Sequence, residues 1–324
     1  MRLSVMLEPQ EGLSYAQLLA VARRAEETGF DGFYRSDHYT SVAGREGLPS
    51  TDAWVTLAGL ARETQRITLG TMVSPVTFRP AGNLAKAAAT TAEMAGTVDG
   101  APRIHLGMGT GWLEVEHRQY GFPFEDTGTR FRRLEEHLAV VRGLWDPAQE
   151  PFHFDGEFVT LRGARFAARP DPQPRVIVGG TGRRRTPRLA ARYADELNTA
   201  FQTPQGCREM RAALDAACEE QGRDPAALPL TLMTGCIVGA SDADFRERAR
   251  RTHAAIGAGD FDAWLDDLRD AWILGAPEEA ADRMGELADA GVTGVLLQHQ
   301  IADDLEMLDA VMTEIAPRVR TTVP

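Results

Sequence analysis

The chain has 324 residues, 43% of them hydrophobic and 25% charged, ordinary for a globular protein and sufficient for a large core. A formal charge of -12, from 35 basic and 47 acidic residues, argues against a nucleic-acid partner or an anionic membrane surface. Three cysteines without metal-ligand spacing, no eighteen-residue apolar run and no signal-like leader give the expectation of a cytoplasmic protein without a metal site.

Leu3 to Leu7 reads as a buried strand ending at Glu8-Pro9. Ser14 can cap a helix whose apolar residues Leu18, Val21, Ala22 and Ala25 share one face, and Gly29 closes it. Gly32 to Tyr34 is a short strand apolar enough to be buried on both sides. It stops abruptly at Arg35-Ser36-Asp37-His38-Tyr39. Asp52 can cap a helix running to about Glu63, and Ile67 to Val73 is β-rich before Ser74-Pro75. An alanine-rich helix (Leu84 to Met94), a strand (Arg103 to Met108) and a long helix (Gly128 to Trp145) follow.

Pro151 to Pro174 breaks the rhythm and predicts an inserted hairpin and loop around 150–174. Regularity returns with the strand Arg175 to Val178, a helix from about Pro187 to Tyr193 and a strand near Leu197 to Ala200. Residues 204–221 read as a helix, Leu230 to Val238 as a strand, and 241–272 as extra helical material. Pro277 to Ala290, Val292 to Leu297 and a last helix complete the chain. Gly29-Phe30-Asp31-Gly32 recurs as Gly291-Val292-Thr293-Gly294, the chemistry of a repeated tight αβ loop. About eight strands, most followed by a helix, predict an α/β protein: a single (β/α)8 TIM barrel spanning residues 1–324.

Ligands of parallel α/β folds lie at the carboxyl ends of strands. Asp37 and His38 at such an end could exchange a proton near neutral pH, the plainer reading being a capping carboxylate and a surface imidazole. Glu8 shares that ambiguity. Gly107-Met108-Gly109-Thr110-Gly111 follows a strand and would allow close ligand approach, or be a simple tight loop. Gly179-Gly180-Thr181-Gly182 precedes Arg183, Arg184 and Arg185 at a helix start, a combination that favours a phosphate. Tyr39 and Trp112 could stack on a flat ring or merely cover the barrel mouth. His105, inside a strand, reads as a hydrogen-bonded core histidine. Glu114, Glu116 and His117 read as a solvated helix start without a metal pattern.

With these motifs in order, the chain resembles the bacterial-luciferase-like superfamily and, within it, the oxidoreductases that use the deazaflavin coenzyme F420. The pieces are Arg35-Ser36-Asp37-His38-Tyr39, Asp52-Ala53-Trp54, Leu106-Gly107-Met108-Gly109-Thr110-Gly111-Trp112, Glu114-Val115-Glu116-His117 with Tyr120-Gly121-Phe122-Pro123-Phe124, and Ile177-Val178-Gly179-Gly180-Thr181-Gly182. The resemblance implies a deazaflavin or flavin ring in the barrel mouth, near Asp37, His38 and Ser74. Gly107 to Gly111 would line the ring, and Gly179, Gly180, Thr181 and Gly182, helped by Arg183, would take the phosphate. It implies a cis peptide near Val73-Ser74 or Ser74-Pro75, and a homodimer. The stretch Gly96 to Arg103 is longer than the short turn of many relatives and should lie on the face away from the site. The expected activity is hydride transfer between F420 and a small organic substrate. His38 would exchange the proton, Asp37 would orient it, and Glu8 and Trp112 would shape the substrate side. An FMN-dependent monooxygenase and a non-catalytic cofactor-binding paralogue are the alternatives.

Overall fold

Eight parallel strands pair in chain order and then close on themselves: β1 (Arg2–Leu7), β2 (Gly32–Arg35), β3 (Thr68–Thr71), β4 (Ile104–Gly109), β5 (Arg175–Gly179), β6 (Glu196–Ala200), β7 (Leu230–Val238) and β8 (Val292–Gln298). Arg2 lies opposite Gly294 where β1 meets β8, and Arg175 opposite His105 where β4 meets β5. The computed structural model describes residues 1–167 and 169–320.

Around the barrel run α1 (Tyr15–Thr28), α2 (Ala53–Glu63), α3 (Ala81–Ala95), α4 (Glu114–Tyr120), α5 (Thr127–Trp145), α6 (Arg185–Tyr193), α7 (Pro204–Glu220), α8 (Asp242–Ile256), α9 (Phe261–Leu268) and α10 (Pro277–Asp289). Local sequence explains their ends. Ser14 accepts from the Gln17 amide while the Gln17 side chain takes the Ser14 amide, a capping box. Gly29 ends α1 at a φ of 94°, where a side chain would be strained. Leu18, Val21, Ala22 and Ala25 of α1 are fully buried, and they join the main core between strands and helices. The α6 helix opens at Arg185, two residues before the expected Pro187. The C-terminal helix is broken by one π turn at Val311–Ile315. No described helix is long and apolar enough to cross a membrane.

Inside the barrel two layers follow one another. At the amino ends of the strands Arg2 pairs with Glu196 at 2.6 Å, the Thr231 hydroxyl donates to Glu196 at 2.7 Å, and the Tyr34 hydroxyl meets His105 Nδ1 at 2.7 Å. Burial, with Arg175 and Arg2 nearby, pushes His105 down to about 3, so the imidazole is neutral, as a core histidine should be. Above this polar floor Met6, Tyr34, Met72, Ile177 and Leu296 form an apolar layer, and the carboxyl ends of the strands open above that.

All three insertions fall where the sequence places them, and the last is more elaborate than expected. Phe152–Asp155 and Thr160–Ala164 form the expected antiparallel hairpin. Gly96 to Arg103 folds into a hairpin of its own, Thr97–Val98 against Ala101–Pro102, at the amino-terminal face of the barrel. The region after β7 is less expected. Gly235 of β7 still pairs with Gln298 of β8, whereas Cys236 to Val238 run on to pair with Ile273–Gly275. There α8 and α9 build a second core on Ile237, Phe245, Ala249, Leu265 and Leu274. The Trp272 ring lies so close over Gly235 that an added Cβ would be 2.0 Å from it.

Candidate active site at the carboxyl end of the barrel

His38 follows β2 at the mouth. Its Nδ1 is 2.8 Å from Oε1 of Glu116, whose other oxygen accepts the Tyr39 amide at 2.8 Å. Glu116 is 0% exposed; of the helix start expected to be solvated, Glu114 is exposed, whereas His117 and Glu116 are buried. Its neighbour His117 is held by the Leu113 carbonyl at 2.8 Å and by Thr77 Oγ1 at 2.7 Å. Burial alone would lower the His38 pKa. The hydrogen bond and charge of Glu116, with Glu8 and Asp37 behind, outweigh it and raise the pKa above the ordinary imidazole value. Nε2 has no hydrogen-bond partner among the described residues, and the Trp112 ring stands edge-on to the imidazole at 5.8 Å. This geometry suits a group that gives and takes one proton.

The expectation that Asp37 orients His38 is corrected: Asp37 has a different set of partners. Both its oxygens are taken by Arg79, at 2.5 and 3.2 Å, and Oδ2 also accepts the Ser74 hydroxyl at 2.9 Å. Arg79 reaches Asp52 at 2.6 Å as well. Burial works against its charge, but the two carboxylates prevail and raise its pKa. Ser74 accepts the Trp54 indole at 3.1 Å, so its hydroxyl is spent on Asp37 and Trp54 rather than left for a ring. Glu8 is clamped on both oxygens by the amides of Gln10 and Gln298, each at 2.6 Å.

The glycines of β4 have a different cause from the one expected. The cis bond joins Met72 to Val73, one residue before the expected position, and the chain bulges there before Ser74 rejoins β4 opposite Met108. A Cβ on Gly107 would be 2.1 Å from the Thr71 carbonyl oxygen. One on Gly109 would be 2.7 Å from a Val73 methyl, and one on Gly179 would be 2.5 Å from the other. These glycines make room for the bulge, and Val73 occupies the space beside them. Met108 points into the main core between barrel and helices, not into the mouth. The Thr110 hydroxyl donates to the Gly111 carbonyl at 3.3 Å, and Gly111 itself turns at a φ of 75° close against Thr77 and His117.

The β5–α6 loop presents backbone amides to solvent. Gly180 donates to the Asn198 carbonyl, whereas the amides of Thr181, Gly182, Arg183 and Arg184 donate to no other described group. A Cβ on Gly180 or Gly182 would press on Thr186 Oγ1, at 3.2 and 3.3 Å, so glycines here keep a small hollow open beside that hydroxyl. Unsatisfied amides ahead of a nine-residue helix suit the phosphate of a flavin or deazaflavin. The Arg183 guanidinium is corrected: it is paired with Glu209 of α7 and turned from the hollow. Arg185 lies 5.5 Å over the Phe131 ring, and neither it nor Arg184 has an ion pair among the described residues.

Two aromatic residues at the mouth behave differently. Tyr39 is held by Phe78, Tyr120 and Phe122 at 4.8 to 5.0 Å between centroids and cements α4 to the barrel. Trp112 is 61% exposed. Glu116, Arg79, Gln10, Gln298 and Val73 were not legible as site residues. Only Glu116 lay inside a recognised motif, and its burial depends on α4 folding back over His38.

Comparison with known proteins agrees with this architecture. The chain is 28% identical over 325 residues to the F420-dependent glucose-6-phosphate dehydrogenase of Intrasporangium calvum, covering 92% of each. It is also 28% identical over 314 residues to pyrimidine monooxygenase RutA of Stutzerimonas stutzeri, covering 91% of this chain and 80% of that one. The solved structure of an F420-dependent secondary alcohol dehydrogenase in complex with an F420-acetone adduct superposes with a TM-score of 0.83 at 20% identity, over 98% of this chain and 99% of the other. Residues 1–294 match the model of the luciferase-like monooxygenases, and the chain belongs to that family.

Proposed function

We propose that this enzyme is an F420-dependent oxidoreductase that moves a hydride to or from a small organic substrate. The observation that carries the reading is His38, with Nδ1 locked by a fully buried carboxylate and Nε2 unpartnered in the same mouth as a phosphate-ready loop. F420, when bound, supplies a carbon that gives or accepts a hydride. The protein's own part is narrower. The amides of Thr181 to Arg184 hold the phosphate, and the unpaired Arg184 favours the longer anionic tail of F420. Glu116 accepts Nδ1–H, which leaves Nε2 to take a proton when the ring is neutral and to give one when it is charged. The Asp37–Arg79 pair fixes the strand ends around it.

Stopped-flow absorbance tests this role. His38→Ala should bind the coenzyme normally and lose about 100-fold or more in the proton-coupled step. An unchanged rate with an established substrate removes the assignment. The second reading, an FMN-dependent monooxygenase, is supported by the pyrimidine monooxygenase at the same identity. Calorimetry of the purified protein against both cofactors separates them: FMN binding without F420 binding selects the second.

A further inference from the structure

From the charges of the mouth we infer that the substrate is an uncharged, largely apolar molecule, an alcohol or carbonyl compound rather than a phosphate ester, carboxylate or amine. This deepens the reading just given and rests on it. Each carboxylate at the mouth has both oxygens engaged: Glu8 by two amides, Asp37 by Arg79 and Ser74, Glu116 by His38 and the Tyr39 amide. The arginines there are engaged too. Arg35 donates to the Ser36 and Thr51 carbonyls at 2.9 and 2.8 Å, and Arg79 is spent on Asp37 and Asp52. Arg248 is held by Asp304 at 2.9 Å. The unpaired Arg184 belongs to the phosphate hollow. The chain's single lysine, Lys86, lies on the exposed side of α3.

A charged substrate would therefore leave water for a site whose described carboxylates and arginines are already engaged and whose one titrating cation, His38, is offset by Glu116, at a desolvation cost that is not repaid. What the mouth offers is apolar. Trp112 is edge-on to His38, and half-buried Met233 packs on the apolar layer inside the barrel. Phe201 ends β6 42% exposed, held at a left-handed φ of 49° by its amide bond to the Met233 carbonyl at 2.9 Å. Non-glycine residues are kept in that conformation where the surrounding structure has a use for it. The polar contacts left for the substrate among the described residues are His38 Nε2 and the imidazole of His299, which follows β8 and is buried, uncharged and without a hydrogen bond on either nitrogen.

The test is calorimetry on the loaded enzyme. F420 and FMN are titrated first, so a failure of F420 to bind counts against the functional reading alone. Whichever carrier binds is used for loading. Cyclohexanol and cyclohexanone are then compared with glucose 6-phosphate, benzoate and benzylamine. The neutral pair should bind at least tenfold more tightly than any charged ligand. Trp112→Ala should weaken cyclohexanone about tenfold, and Phe201→Arg, which supplies the missing cation, should improve benzoate at least fivefold. Glucose 6-phosphate, benzoate or benzylamine binding as tightly as cyclohexanone overturns the inference, and so does failure of both neutral ligands to bind.

Discussion

Glu116 decides the behaviour of His38 more than any residue beside it in sequence. A carboxylate this deeply buried, with a hydrogen bond on each oxygen, keeps one ring nitrogen permanently occupied. Removing its charge while keeping its shape, as Glu116→Gln does, takes away the effect that offsets burial, so the His38 pKa must fall. The midpoint assigned to His38 in the pH profile should move to lower pH, with a rate loss of roughly 10- to 100-fold. An NMR titration of the imidazole gives the same shift without turnover. Stability follows the same sign. Because the folded pKa is raised, the pair's contribution is complete below the ordinary imidazole value of 6.5 and is lost as pH rises through the folded pKa. The variant should therefore lose stability at mildly acid pH and little at alkaline pH, as urea denaturation at the two pH values would report.

Between β3 and β4 the controlling fact is a near contact of main chains. Gly107 faces the Thr71 carbonyl so closely that a methyl group would overlap it, and backbone cannot swing aside as a long side chain can. Gly107→Ala should cost about 1–3 kcal/mol by overpacking and displace the Met72–Val73 bulge. Thermal denaturation measures the first, and loss of cofactor affinity the second. Gly82, on α3 with open space around the added Cβ, is the control and should tolerate alanine within about 0.5 kcal/mol. The same positions show where sequence reading stops. Gly107, Gly109 and Gly179 are visible as glycines, but what fills the space they leave depends on a neighbouring strand. The loop at 179–182 could be read because its signal is local, a run of glycines directly before a helix.

Across the whole molecule the repeated strand–helix rhythm made the closed barrel readable, and the doubled Gly-x-x-Gly loops marked β2 and β8, the two strands that flank β1. Arg79 and Glu116 were not readable as partners of Asp37 and His38, because 42 and 78 positions separate them. The cap on α8 and α9 was seen only as extra helix. Its separate core is joined to the barrel through β7 and the Trp272 ring on Gly235. Trp272→Ala should cost roughly 2–3 kcal/mol, at the low end for tryptophan because the ring is half-buried. Hydrogen exchange should then quicken in 242–268 and stay unchanged in β1 to β4. Equal quickening in both would mean that cap and barrel open together.

The methionine and leucine plug below the mouth, Met6, Met72 and Leu296 with Ile177, has a consequence for proton traffic. Thioether and hydrocarbon carry no hydrogen-bonded wire, so the neutral His105 and the ionic floor beneath are electrically insulated from His38. On the proposed role of His38, every proton it exchanges enters and leaves by the open end, the same doorway the substrate would use, and an occupied doorway would isolate the imidazole from bulk solvent until the product departs.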